Sequence, residues 1–308
     1  MNYRPSDLDR MARQLVREIE DQISKAGIFY RIFFRCKTPH SLAKKIAAKN
    51  SDQSPKYVAG QKGLRDAIGI RLNLYFIDDL ILVTQHLKNH FSDFFVEETI
   101  DPNTTTEFKP QRINIIFKLP DGHLNEFRQV LHDARIDATF ELQLRTILSE
   151  GWHEVEHDLR YKCPDDWEEF GEMSRIFNGF LATLETQEWS MVHFFDRFSY
   201  SQYKIENIRA CIRSKLRIRF EDVTLSVTIQ SVLDQNDNFS KLFFKLEREK
   251  IIDFLLTLPS AIPITLENVI YLINYQFIFD KAISVCAPPG ILEYFKDLGT
   301  VDSREVSI

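Results

Sequence analysis

The stretch that most constrains this chain is Thr139 to Arg145, which reads T-F-E-L-Q-L-R. Successive side chains of a β-strand point to opposite faces, so Phe140, Leu142 and Leu144 share one face while Glu141, Gln143 and Arg145 share the other. Three large apolar side chains in register require a core beneath them. The opposite face then presents a carboxylate, an amide and a guanidinium together, either as a solvated edge or as a row of groups suited to chemistry. Ile68 to Leu74 (I-G-I-R-L-N-L) has the same period, and residues 112–119 (R-I-N-I-I-F-K-L) read as a further strand leading to Asp121-Gly122, a turn signal.

Helical spacings lie between these strands. Ser6 with Asp9 resembles a capping box for the run Leu8, Met11, Leu15, Ile19 and Ile23, which Gly27 can end. Asp78 and Asp79 precede an apolar helix through Leu80, Val83 and Leu87, and Leu148, Trp152, Val155 and Leu159 form a stripe with packing spacing. From about residue 166 the chain turns to phenylalanine-rich helical periodicity, with helices expected near 166–197, 203–216, 239–258 and 265–280. Val223 to Val232 alternates well enough to be a strand instead. Two domains are therefore expected, 1–165 and 166–308, the second mainly helical.

Composition excludes several classes. With 44% hydrophobic and 27% charged residues the chain has the apolar content that disorder lacks. The cysteines (Cys36, Cys163, Cys211, Cys286) stand far apart, which argues against a zinc ribbon or a disulfide framework and fits reduced thiols in a cytoplasm. The charged start is unlike a secretory signal. The most apolar later runs are broken by Asp253, Pro259 and Pro263, so no membrane span is expected. A net charge of -6 gives no global attraction to nucleic acid and leaves a local basic cleft open.

Two motifs overlap at residues 141–163. H-E-V-E-H (153–157) matches the zincin pattern, with two imidazoles one helical turn apart and a glutamate base between them. A catalytic zinc needs a third protein ligand. The extended pattern would place Gly at Arg160 and His at Cys163, leaving only a distant carboxylate such as Glu172. Glu156 and Arg160 also offer an ordinary i,i+4 ion pair.

The wider constellation is more specific. E-L-Q-L-R-T (141–146) followed by W-H-E-V-E-H-D-L-R-Y-K (152–162) resembles the signature of RelA/SpoT alarmone synthetases, in which E-x-Q-x-R-T is followed by W, then E-H, then Y-K. R-C-K-T-P-H-S-L-A-K-K (35–45) is similar to that family's basic ATP-binding segment, and D-A-I-G-I-R (66–71) to its D-x-x-G-x-R strand. The motifs stand in family order across roughly residues 25 to 165. The resemblance implies an α+β fold, a nucleotidyltransferase-like mixed sheet flanked by helices, followed here by the mainly helical second domain. It also implies a pyrophosphokinase that moves the β,γ-pyrophosphate of ATP to a ribose 3′-hydroxyl with Mg²⁺. On that basis Arg35, Lys37, Lys45 and Arg71 clamp the ATP phosphates, although in isolation Arg35 to Lys45 reads as a solvated basic helix face. Asp66 and Glu141 form the acidic pair that holds Mg²⁺, and Glu141 also draws the proton from the attacking hydroxyl. Gln143 and Arg145 join the nucleotide site through their shared strand face. Strand parity sets Asp66 opposite Arg71, so Asp66 has to lie in an irregular lead-in. For Glu156 and His157, bracing the helix competes with substrate contact.

One departure concerns the acceptor. The family's G-Y-R-S-x-H-like loop stacks a tyrosine on guanine, whereas here Gln111 and Arg112 stand at those positions, no histidine follows, and Phe108 is the aromatic at hand. A stacked base contributes about 1–3 kcal/mol, so acceptor recognition is expected to be weakened or redirected. The acceptor readings are a guanosine nucleotide in a differently built pocket, or an adenosine nucleotide or tRNA 3′ end as in the family's toxic branch. A further reading is an inactive copy that serves as a nucleotide sensor or interaction module. The retained acidic pair favours activity. Little precedes Arg35, which leads to the expectation of a synthetase without a hydrolase domain, and the helical half is expected to regulate it, neutralise it or form a homo-oligomer.

Overall fold

The computed structural model describes residues 4–100, 112–259 and 262–297; the expectations for Phe108 and Gln111 lie outside them. Leu8, Met11, Leu15, Ile19 and Ile23 line one face of helix α1 (Pro5–Ile23) and are all fully buried, as their spacing requires. A short turn follows. Gly27 then takes a left-handed backbone (φ +64), where a Cβ would stand 2.5 Å from the Arg219 carbonyl oxygen, so glycine is required there.

The sheet is built from β1 (Tyr30–Cys36), β2 (Ile68–Leu74), β3 (Phe95–Ile100), β4 (Ile113–Lys118) and β5 (Thr139–Thr146), in spatial order β1-β2-β5-β4-β3. β5 pairs parallel with β2 and antiparallel with β4, and β1 lies antiparallel on the outer side of β2. The sheet is therefore mixed. Between its strands run α2 (Pro39–Ile46), α3 (Asp79–His90) and α4 (Asp121–Val130), and β5 passes directly into α5 (Ile147–Glu156).

Register places residues in rows across the polar face. Arg35, Gly69, Glu141 and Ile116 form one row, and Phe33, Arg71, Gln143 and Asn114 form the next. On the other face Ile68, Ile70, Leu72, Phe140, Leu142 and Leu144 have no exposure, and α1 and α3 pack against that sheet. Phe117 and Phe140 stack there with ring centroids 5.3 Å apart, and Phe91 meets both rings at 5.3 and 5.8 Å. Such offset and edge contacts add to the area that the rings bury.

Several sequence expectations change. Asp121-Gly122 does not make a hairpin turn but opens α4, because Pro120 holds a φ of -55° and Asp121 sits favourably in the first turn of a helix. β1 and β3 have no counterpart among the expected strands, and Arg35 lies on β1 and not on a helix face. The stripe Leu148, Trp152, Val155 and Leu159 is not a core face: Trp152 is buried, whereas Val155 and Leu159 are exposed. The helix instead turns Ser149, Glu150 and Trp152 inward, since Glu150 meets arginines of the sheet. Val223 to Val232 contains no strand. Val227–Asp234 is helix α8, capped by Ser226 and burying Ile229 and Leu233 one turn apart.

The chain divides into two compact units, one of Met1–Ile23 and Phe29–Val192, the other of Ser24–Ile28 and His193–Ile308. The division falls within the long helix α6 (Gly171–Lys204) and not at 165, since α6 carries Leu181 and Glu188 into the first unit's interior. The second unit is helical: α7 (Ile208–Leu216), α8, α9 (Asp237–Lys245), α10 (Arg248–Thr257), α11 (Leu266–Ile273), α12 (Lys281–Cys286) and α13 (Pro289–Asp297). No helix among the described residues is long and apolar enough to cross a membrane.

Phe140 tests the central layer. Phe140→Ala is expected to cost about 3–5 kcal/mol and to lower the denaturant midpoint of the first unit, followed by far-ultraviolet circular dichroism.

Candidate active site

β1 ends where the Lys37 N–H donates to the Ala67 carbonyl at 3.0 Å, which ties the exit of β1 to the lead-in of β2. Asp66 sits in that lead-in, two residues before β2 begins. Its Oδ2 accepts from Lys45 Nζ at 2.6 Å and lies 3.1 Å from Lys37 Nζ. Lys45 reaches it from α2, whose first turn is set by Pro39 and by the Thr38 hydroxyl accepting from the Ser41 N–H. Burial alone would push the Asp66 carboxyl up, but the two ammonium groups outweigh it and hold the carboxyl below its usual value. Its other oxygen, Oδ1, is buried without a hydrogen-bond partner.

Glu141 shares the cleft with Asp66. Burial, and then the charge of Asp66, push the Glu141 carboxyl up, against the amide of Gln143 and the two lysines. Two carboxylates in one partly buried cleft, one with an unsatisfied oxygen, suit a hard divalent cation with oxygen ligands. The residues present therefore fit Mg²⁺.

Gln143 links this pair to the arginines. Its Nε2 donates to Glu141 at 2.9 Å, and its Oε1 accepts from Arg71 Nε at 3.3 Å and Arg145 Nη2 at 3.4 Å. Glu150, one turn into α5, accepts from Arg145 Nη1 at 2.6 Å and from Arg71, and Glu154 on the same helix face also accepts from Arg71. α5 is held in place at its start: the Thr146 hydroxyl accepts from the Ser149 N–H at 3.1 Å and donates to buried Glu188 of α6. Burial pushes the Arg145 guanidinium down while Glu150 opposes the shift. Arg145 is thus committed to Glu150 and does not reach the cleft of Asp66 and Glu141.

Two clefts share a border. The first, about 450 Å³, is lined by Arg35, Lys37, Asp66, Arg71, Glu141 and Gln143, with Phe33 at its rim. The second, about 580 Å³, is lined by Arg112, Asn114, Arg145, His153, Tyr161 and Lys162. Arg35, Arg71, Gln143, Glu154 and His157 belong to both. Both volumes are those of small-molecule sites. Asp66, Arg71 and Glu141 thus converge on one cleft, and Lys45 joins them through Asp66. Sequence reasoning missed Phe33, Asn114, Glu150 and Glu154. Phe33 alternates with Arg35, a signal obscured by reading that stretch as basic, and Glu154 is hidden inside H-E-V-E-H.

The two histidines of H-E-V-E-H stand with ring centroids 5.9 Å apart, on the wall of the second cleft. His157 Nδ1 lies 3.0 Å from Asp158, and Glu156 pairs with Arg160 at 3.5 Å. Among the described residues no third metal-ligating side chain joins them, so the zinc reading, Glu172 included, lacks the ligand set it needs.

Residues 34–166 match the family model described as the region found in RelA / SpoT proteins. Over 133 residues the chain is 26% identical to the GTP pyrophosphokinase YwaC of Bacillus subtilis, covering 43% of this chain and 58% of that relative. The chain therefore spans less than two thirds of that relative's length. Among solved structures, small alarmone synthetase 1 from Bacillus subtilis matches at 18% identity and a TM-score of 0.42, covering 60% of this chain and 92% of that one. A GTP pyrophosphokinase family protein from Streptococcus pneumoniae matches at 19% identity and a TM-score of 0.43, covering 60% and 89%. Residues 34–166 are thus similar to the region found in RelA / SpoT proteins.

Gly69 is the floor of the first cleft, between Arg35 and Glu141. A Cβ there meets nothing closer than the Arg35 carbonyl oxygen at 3.6 Å, an ordinary contact. Gly69→Val is therefore expected to keep the thermal midpoint near wild type in a melting experiment, because the added side chain enters the open cleft and not the core. His153 gives a second test. Burial, then the charges of Arg145, Arg112 and Arg71, push its imidazole down to about 3 from an ordinary 6.5. The unfolded chain then binds one more proton than the native state between those values, so stability falls as pH drops below about 6.5. His153→Asn is expected to flatten the fall in thermal midpoint measured between about pH 7 and pH 5.

Proposed function

We propose that the chain is an ATP-dependent pyrophosphokinase whose first cleft takes ATP and whose second takes the acceptor. The observation that carries this reading is the convergence of Asp66 and Glu141 with Arg35, Lys37 and Arg71 on one cleft, with Lys45 bound to Asp66. The name of the Bacillus subtilis relative, a GTP pyrophosphokinase, supports the same class of reaction.

In this reaction a ribose 3′-oxygen of the acceptor forms a bond to the β-phosphorus of ATP. The bond from that phosphorus to the α,β-bridging oxygen breaks, and AMP leaves with that oxygen. The proton of the attacking hydroxyl passes to Glu141, whose raised proton affinity suits a base that must accept it. Arg35, Lys37 and Arg71 meet the phosphate charge, the arginines through forked contacts and the lysine as a point charge. Arg71 is matched to Glu150 and Glu154 before substrate arrives, so a phosphate has to displace the exposed Glu154. Asp66 and Glu141 are the residues that would hold Mg²⁺, which when bound supplies further positive charge to the phosphate oxygens. A guanosine nucleotide is the acceptor favoured by the relative's name.

The test incubates labelled ATP with GDP, GTP, ADP, ATP and deacylated tRNA in parallel. AMP release is expected to need both Mg²⁺ and an acceptor. Glu141→Gln is expected to lower kcat by about 10²-fold or more, because the amide keeps the shape and loses the base. Transfer to an adenosine nucleotide or to tRNA would reassign the acceptor, and transfer to none of them would sink the reading and favour a nucleotide sensor.

A further inference from the structure

The position at which a stacking aromatic is expected, ahead of β4, holds Gln111 and Arg112. The second cleft nevertheless has an aromatic of its own. After α5 the backbone widens into a π-helical turn, His157–Tyr161, closed by the Lys162 N–H donating to the His157 carbonyl at 3.2 Å. Such turns are uncommon and concentrate at functional sites. In this one the rings of His157 and Tyr161 lie nearly parallel, with centroids 5.5 Å apart and planes 14° apart. Asp158 fixes the His157 ring by standing 3.0 Å from its Nδ1, and Lys162 holds Asp158 in turn. Tyr161 lines the cleft with 71% of its surface exposed. An aromatic ring flanked by an offset parallel neighbour and otherwise exposed in a cleft has area on which a base can stack.

The rest of the cleft has the complementary chemistry. Asn114 Oδ1 is a buried polar atom with no hydrogen-bond partner, and buried His153 Nδ1 has none nearer than the Glu156 carboxylate at 3.9 Å; both residues line the cleft. A buried group of this kind is costly unless a ligand or water satisfies it. Arg112 adds positive charge to a wall that also carries Arg145 and Lys162, paired with Glu150 and Asp158. The border with the first cleft runs through Gln143, which donates to Glu141.

We propose that Tyr161, backed by His157, is the base platform of the acceptor site, receiving a purine nucleotide whose polar base edge meets Asn114 and His153. Its ribose then faces Gln143 and Glu141, and its phosphates face Arg112 and Arg145. This assignment rests on the proposed transfer reaction for the word acceptor, but the platform itself is a binding property that can be measured without turnover.

The experiment is an equilibrium titration of GDP into the full-length chain, with α,β-methylene ATP present at saturation to fill the first cleft. Stacking of one base predicts that Tyr161→Ala weakens GDP binding by about tenfold or more. Tyr161→Phe, which keeps the ring, is expected to stay within about twofold of wild type. In turnover assays the alanine variant is expected to raise KM for the acceptor and leave KM for ATP unchanged. GDP binding that is indifferent to Tyr161→Ala, or absent from a wild-type chain that binds the ATP analogue, overturns the platform. If wild type binds GDP through Tyr161 yet releases no AMP, the platform stands and the transfer reading fails. Tyr161 is exposed, so a thermal midpoint equal to wild type is expected for both variants.

Discussion

The strict alternation of β5 is the constraint on which the rest of this protein depends. Phe140, Leu142 and Leu144 are fully buried on one side, so a slip of one residue would expose all three and bury a carboxylate in their place. The hydrophobic layer therefore fixes the height and direction of Glu141, Gln143 and Arg145 more firmly than any contact those residues make themselves. Because β5 lies between β2 and β4, the same register sets Gly69 and Arg71 on one side and Asn114 on the other. A core interaction thereby positions a polar surface several residues wide.

Charge balance organises that surface in two parts. Asp66 is held between Lys37 and Lys45, while Arg71 and Arg145 are held by Glu150 and Glu154, with Gln143 as the neutral link. Partly buried charges need partners, and these pairings supply them. An anion entering the cleft would have to exchange with Glu154, the exposed partner of Arg71. The geometry of the arginine cluster depends in turn on α5, which Thr146 and Glu188 hold at its first turn. A contact outside the clefts thus decides where Glu150 stands inside them.

Much of this architecture is legible in the order of residues alone. The apolar stripe of α1, the strands β2, β4 and β5, and the helical second half all follow from periodicity that is local to a few residues, while the placement of Asp66 in a lead-in comes from parity together with the resemblance. The segments misjudged are those in which local pattern is ambiguous. Asp121-Gly122 suits a turn or a helix start, and only the preceding Pro120 together with the sheet order selects the helix. Val223 to Val232 alternates like a strand, but Ser226 caps a helix that buries Ile229 and Leu233. The stripe through Val155 and Leu159 has core spacing and is exposed, because the buried side of α5 is chosen by Glu150 meeting two arginines from distant strands.

By itself the sequence determined the alternation of β5, the presence of Glu141, Asp66 and the basic residues, and their similarity to a RelA/SpoT region. These are properties of spacing and of residue type, and they survive without knowledge of what packs on what. The tertiary structure alone decided which partners those charges keep, that Arg145 is buried against Glu150, and that a second cleft opens beside the first. It also decided that H-E-V-E-H supplies a cleft wall and not a zinc site. The physical reason is range: periodicity is read over one or two turns, whereas an ion pair, an orphaned polar atom or a stacked ring depends on elements brought together from far along the chain.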